Sequence, residues 1–97
     1  MTGRLQRAEL TPLVGRVVTA EATYTPQTRR RDGTCLYLVR SVTIYPHWEA
    51  DHFWLALPVK FARTLRNEQR FSFRARVDYY RRADGSRDVG LNDVWVL

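Results

Sequence analysis

Cysteine, lysine and long apolar runs are all scarce in this sequence, and each scarcity removes a class of protein. Cys35 is the single cysteine, which excludes an intramolecular disulfide framework and a multi-cysteine zinc site. The longest uninterrupted apolar run, Phe53 to Val59, falls far short of the roughly 20 residues that a membrane-spanning helix needs, so no membrane partner is expected. Arg4 and Arg7 precede no apolar stretch before Thr11, a pattern that speaks against a secretory signal. With only 5 Gly and 4 Pro and a hydrophobic fraction of 44%, neither a disordered nor a collagen-like chain fits. Its 97 residues suit one small domain that buries about 60–70% of its unfolded surface. The expectation is a single soluble, cytoplasmic domain over 1–97, with 1–13 as an N-terminal arm or short helix and 14–97 as the body.

Lys60 is the only lysine among 16 cationic residues, which leaves fifteen arginines against 10 acidic groups and a net charge of +6. Arginine offers a planar fork that pairs bidentately with phosphate and stacks on rings, whereas lysine is a hydrated point charge. Genomic base composition explains the arginine-to-lysine ratio equally well. It explains neither the excess of positive charge nor where the arginines cluster.

The dominant period is two. From Arg70 onward, Phe71, Phe73, Ala75, Val77 and Tyr79 alternate with Arg70, Ser72, Arg74, Arg76 and Asp78, which puts the apolar set on one face of a strand. A second strand is expected from Val14 to about Thr25, stopped by Pro26, with Gly15 marking a bend or bulge near its start. A third runs from about Thr34 to Tyr45, with Leu36, Leu38, Val42 and Ile44 inward. A fourth covers His52 to Leu57, with Phe53, Leu55 and Leu57 inward and Pro58 closing it. The last spans Gly90 to Leu97, with Val94 and Val96 on one face. Only Val59 to Leu65 reads as an internal helix: Phe61, Ala62 and Leu65 have helical spacing, and Pro58 stands where a first turn tolerates proline. Leu5, Ala8 and Leu10 suggest a short helix or arm ahead of the strands.

Five curved strands in so short a chain leave long unpaired edges unless they close toward a barrel. The predicted class is all-β, a five-stranded closed or partly open barrel with a short helix between strands three and four. This order resembles the oligonucleotide/oligosaccharide-binding (OB) fold of the single-strand-binding type. The residues carrying the resemblance are Val14-Gly15-Arg16-Val17, Cys35-Leu36, Asp51-His52-Phe53-Trp54, the Phe61 to Leu65 helix, Phe71 to Val77 and the last strand. It is a likeness of pattern and order, and a fold does not fix a function. What it implies is a ligand groove over strands two and three, flanked by the loops between strands one and two and between strands four and five.

On that expectation the charges fall in informative places. Arg29, Arg30 and Arg31 occupy the first loop, with Asp32-Gly33 as its turn; Arg81, Arg82 and Arg87 occupy the second, with Asp84-Gly85 as its turn. Solvated hairpin tips are also often charged, and Asp84 and Asp88 partly neutralise the second loop. With Leu36 and Leu38 inward, Tyr37 points outward; with Phe53 and Leu55 inward, so does Trp54, although a one-residue slip would invert it. Tyr80 is a further candidate at the strand edge. Exposed rings beside cationic loops suit single-stranded nucleic acid, whose bases stack for about 1–3 kcal/mol each while arginines follow the phosphates. Arg74 and Arg76 either extend this surface, pair with Glu21 or Asp78 across strands, or simply keep the sheet soluble.

His47-Trp48-Glu49-Ala50-Asp51-His52 gathers two histidines and two carboxylates, but without the spacing of familiar zinc sites. Asp51 reads as a turn cap and His52 as a hydrogen-bonding or packing residue beside the groove. Cys35 has no evident base partner and reads as a buried structural thiol. No phosphate loop, nucleophile elbow or paired-carboxylate motif is present, so no enzyme, cofactor or metal is expected. The expected function is non-enzymatic binding of single-stranded DNA or RNA through Arg29, Arg30, Arg31, Tyr37, Trp54, Tyr80, Arg81, Arg82 and Arg87. The alternative is a protein-interaction or assembly subunit, with a protein partner or self-association.

Overall fold

The alternation after Arg70 is the backbone of the domain. In the structure, a computed structural model that describes residues 7–46 and 48–97, it forms strand β4 (Arg70–Arg81). Phe71, Phe73, Ala75 and Val77 are buried while Arg70, Arg74 and Arg76 face water. Around it lie β1 (Val17–Arg31), β2 (Thr34–Ile44), β3 (Trp48–Leu55) and β5 (Arg87–Val96), with helix α1 (Val59–Ala62) between β3 and β4. All neighbours are antiparallel, in the order β3-β2-β1-β4-β5, and the sheet curls into a half-barrel whose edge strands β3 and β5 touch across the open side. The predicted class, an all-β partly open barrel with a short helix between strands three and four, is the one observed.

Leu10, Phe53, Leu55, Val39, Val42, Ile44, Phe73 and Val77 are fully buried and fill the interior. Truncating one of the aromatics, Phe73→Ala, would remove about 3–5 kcal/mol of stability through lost burial and an unfilled cavity. Leu10 comes from a 3-10 helix (Arg7–Leu13) that packs against β5; Leu5 of the expected N-terminal helix lies outside the described residues. Helix α1 is shorter than expected. Its chain continues to Leu65 by tight i to i+3 bonds, Thr64 N–H to Phe61 O and Leu65 N–H to Ala62 O, so Phe61 and Leu65 still pack on the core. Among the described residues no helix is long and apolar enough to cross a membrane.

The strand boundaries differ from expectation in ways that matter for the site. Pro26 does not end β1. Thr25, Pro26 and Gln27 face the single residue Leu38 at an irregularity in the β1–β2 pairing, where the missing proline N–H is not needed. The Thr25 hydroxyl bonds the Leu38 carbonyl at 2.8 Å and so replaces a ladder bond. β1 therefore resumes and carries Arg29, Arg30 and Arg31 as strand residues rather than loop residues. Likewise β3 begins at Trp48, and Asp51 lies within the strand rather than capping a turn. β2 carries one extra residue opposite Ala22, at Ser41 and Val42, with Ser41 at φ 50°. This shift explains why Val39 and Val42 are both fully buried although three positions apart.

Two facings are corrected as a result. Tyr37 pairs with Leu55 and Val39 with Phe53, so these odd-numbered positions point to the interior above the bulge. Tyr37 is half-buried, packs on the core and lies 6.0 Å from the Tyr24 ring. Burial, with Tyr37 and Cys35 adding to it, pushes the Tyr24 phenol above its ordinary value. Leu36 and Leu38 are buried as expected, but on the opposite face and outside the main core cluster, where Leu38 pairs with Trp54. At the far end of β4, Tyr79 is exposed rather than inward. Cys35 is a half-buried free thiol rather than a buried one.

Candidate nucleic-acid interface

The β1–β2 hairpin ends in Asp32-Gly33, with φ values of 50° and 80°. Positive φ at both central residues is the type I′ turn, which matches the twist of the flanking strands and demands a residue such as glycine. Arg31 therefore pairs directly with Thr34, Arg30 with Cys35 and Arg29 with Leu36. Strand alternation sends Arg29 and Arg31 to the face of Leu36. There each guanidinium lies over a ring from a different strand. Arg29 Cζ is 5.0 Å from the Trp54 ring centre, and Arg31 Cζ is 4.5 Å from that of Tyr80. Both distances are within reach of the attraction between a cation and an aromatic face.

These two pairs wall an open groove of about 890 Å³ that also receives Arg30, Asp32, His52, Arg81, Arg82 and Ala83. A smaller recess runs from it between Trp54 and Tyr80, over Leu36, Ala56 and Gly90, toward Asn92 and Asp93. Trp54 also borders a third recess with Leu38, Arg40, Asp51 and His52. Trp54 therefore faces outward, as expected from Phe53 and Leu55 being buried on either side of it.

Of the residues singled out from sequence, the fold brings Arg29, Arg30, Arg31, Trp54, Tyr80, Arg81 and Arg82 to this groove. Tyr37 is not among them, because the β2 facing above the bulge turns it to the core. Nor is Arg87, whose guanidinium lies 4.3 Å over the Tyr79 ring instead. His52 was not singled out as a binding residue. Its spacing of two from Trp54 is the signal that places both on one strand face.

The second hairpin is electrostatically different from the first. Asp88 accepts a hydrogen bond from Arg82, which pushes the Arg82 guanidinium above its usual value, and the Tyr80 hydroxyl lies 3.5 Å from the same carboxylate. Asp84 accepts bonds from the Ser86 hydroxyl and N–H at 2.6 and 2.9 Å, which hold its carboxyl below the usual range. Elsewhere Arg76 pairs with Asp93 at 3.2 Å, and Arg70 reaches Glu21 at 3.6 Å, so part of the β4 arginine row is tied across strands. Among the described residues no three His, Cys, Asp or Glu side chains gather to hold a metal ion; His47 lies outside those residues.

No family model, curated protein or solved structure matches this chain. The groove combines the ring-seated forks of Arg29 and Arg31, which have no ion-pair partner among the described residues, with two aromatic side chains and an open shape; Arg30 donates to the Gly33 carbonyl at 3.2 Å and Arg82 is held by Asp88.

Proposed function

We propose that the chain is a binding module with an OB-like barrel, which holds single-stranded DNA or RNA in this groove without catalysis and with little sequence preference. The observation that carries the reading is the pair of ring-seated arginines, Arg29 on Trp54 and Arg31 on Tyr80, facing one open channel. Arginine forks suit phosphate, and an accessible indole suits any base because every base has a π-face. Strand order β3-β2-β1-β4-β5 with a helix between β3 and β4 supports the OB-like reading, in which this face is the ligand side.

Titration of labelled oligo-dT, oligo-U and duplex DNA at two salt concentrations tests the proposal. Single strands are expected to bind more tightly than duplex, with affinity falling steeply as salt rises because neutralised phosphates release counterions. Absence of binding to any of the three at low salt sinks it.

A second reading, a protein-interaction or assembly subunit, draws on a different surface. Trp95 is 48% exposed on β5 and pairs with Arg74, while Val17 and Tyr45 are about half exposed on the same outer side. Large exposed apolar side chains in one region are a feature of interaction surfaces. Light scattering after size exclusion distinguishes a monomer from a self-assembled form, and Trp95→Ala would dissolve an assembly built on this face.

A further inference from the structure

The two rings of the groove are not equivalent. Tyr80 is closed on three sides: Arg31 lies over its face, its hydroxyl lies 3.5 Å from Asp88, and the backbone of Gly90 abuts its Cδ1–Cε1 side. The last contact is so close that a Cβ on Gly90 would come within 2.9 Å of Cδ1, so glycine is the residue that lets the ring sit there. A base stacking on this ring would have to evict Arg31. Trp54 is different. Arg29 lies over it, yet the indole also borders the recess of Leu38, Arg40 and His52, which Arg29 does not line. It keeps aromatic surface for a base while its arginine stays in place.

We propose that Tyr80 is a positioning residue, a post that holds the Arg31 guanidinium over the groove for a phosphate, and that Trp54 is the ring on which a base stacks. This deepens, and rests on, the reading of the groove as a single-strand site. Arg31 comes from the tip of the β1–β2 hairpin, where a long side chain has no neighbouring strand on its outer side to order it. Seated on Tyr80, its fork is aimed before a ligand arrives, so less freedom is lost on binding. Asp88 and Gly90, both on β5, fix the post in turn. The phosphate subsite is thus built from β1, β4 and β5, and the base subsite from β3 and β2.

The two roles differ in their response to salt. Losing a phosphate contact lowers the slope of log affinity against log salt by about 0.7 for a single strand, whereas losing a stacked base leaves that slope unchanged. In oligo-dT titrations over a range of salt, Tyr80→Ala is expected to weaken binding about three- to tenfold at low salt and to reduce the slope by about 0.7. Arg31→Ala should do the same, and the double variant should be no weaker than either single one. Tyr80→Phe should retain the slope. Trp54→Ala should lose affinity with the slope intact. Gly90→Ala, which forces the ring to move without removing it, should reproduce the slope change and serves if Tyr80→Ala fails to fold. A Tyr80→Ala variant that loses affinity at unchanged slope, or that adds its loss to that of Arg31→Ala, would make Tyr80 a stacking residue and overturn the inference. Such outcomes require wild-type binding, so they are distinct from the failure of the groove reading itself, in which wild type binds nothing.

Discussion

The β1–β2 and β4–β5 hairpins each carry three arginines near an Asp-Gly turn, but the two sets of charges are deployed differently. On the first hairpin the arginines are strand residues, and alternation sends Arg29 and Arg31 to one face, each above a ring. Neither has an ion-pair partner among the described residues. On the second, Arg82 is bound to Asp88, Arg81 reaches the Gly85 carbonyl at 3.5 Å, and Arg87 is turned over Tyr79 away from the groove. The two tips carry the same residue types at similar spacing. What separates them is that Asp88 holds Arg82 and Arg87 covers a ring outside the groove, whereas Arg29 and Arg31 both cover rings of the groove. A cationic residue on these hairpins therefore keeps its fork available only where no neighbouring carboxylate holds it.

The comparison breaks most directly at Arg29 and Arg31. Replacing both with alanine is expected to reduce single-strand affinity at least tenfold at low salt and to flatten the salt slope by about 1.4, two phosphate contacts' worth. Replacing Arg82 and Arg87 together should change affinity less than threefold, since one is already neutralised and the other points elsewhere; a loss equal to that of the first pair would erase the distinction. Releasing a claimed fork sharpens it. Asp88→Asn removes the charge that holds Arg82 while its amide oxygen still accepts from the Tyr80 hydroxyl, so modestly tighter oligo-dT binding with a steeper salt slope is expected, measured on the same titration.

The smallest effect is one of pH. The Ser86 bonds depress the Asp84 carboxyl in the folded hairpin, so its contribution is fully present above the ordinary aspartate value of 3.8 and is lost as pH falls through the lower folded value. Acidification below about pH 4 should accordingly loosen the β4–β5 tip, read as faster exchange of the Ser86 amide after correction for the intrinsic rate. The β1–β2 tip, held by backbone turn geometry, should show no such transition. A matching loss of protection at Gly33 would contradict this account.

Much of this arrangement was legible in the residues. The Phe71–Val77 alternation, the Asp32-Gly33 turn and the proline after β3 each act locally, and each produced the expected element in about the expected place. Trp54 followed from the burial of Phe53 and Leu55 on either side of it. Failures arose where a backbone irregularity broke the simple period. Pro26 reads as a terminator because it lacks a donor, yet the Thr25 hydroxyl supplies a bond at that point and the strand resumes. Leu36, Leu38, Val42 and Ile44 share a parity and read as one face, but the extra residue at Ser41 and Val42 divides them. That division turned Tyr37 inward. Which arginines are claimed by Asp88, and which ring each of the others covers, depends on side chains far apart in sequence and has no local signature.

The irregularity in β2 has a consequence of its own. It acts as a phase shift within a single strand: on one side of Ser41 the even positions furnish the interior, and on the other side they underlie the recesses beside Trp54. The two duties are thereby set by separate stretches of chain: Val42 and Ile44 pack the main core, while Leu36 and Leu38 pack beneath Trp54 and its neighbours. Deleting Ser41 would bring the halves back into phase and exchange their assignments, presenting Tyr37 and Val39 to the groove or Val42 and Ile44 to water. One residue thus decides which surface the rest of the strand displays.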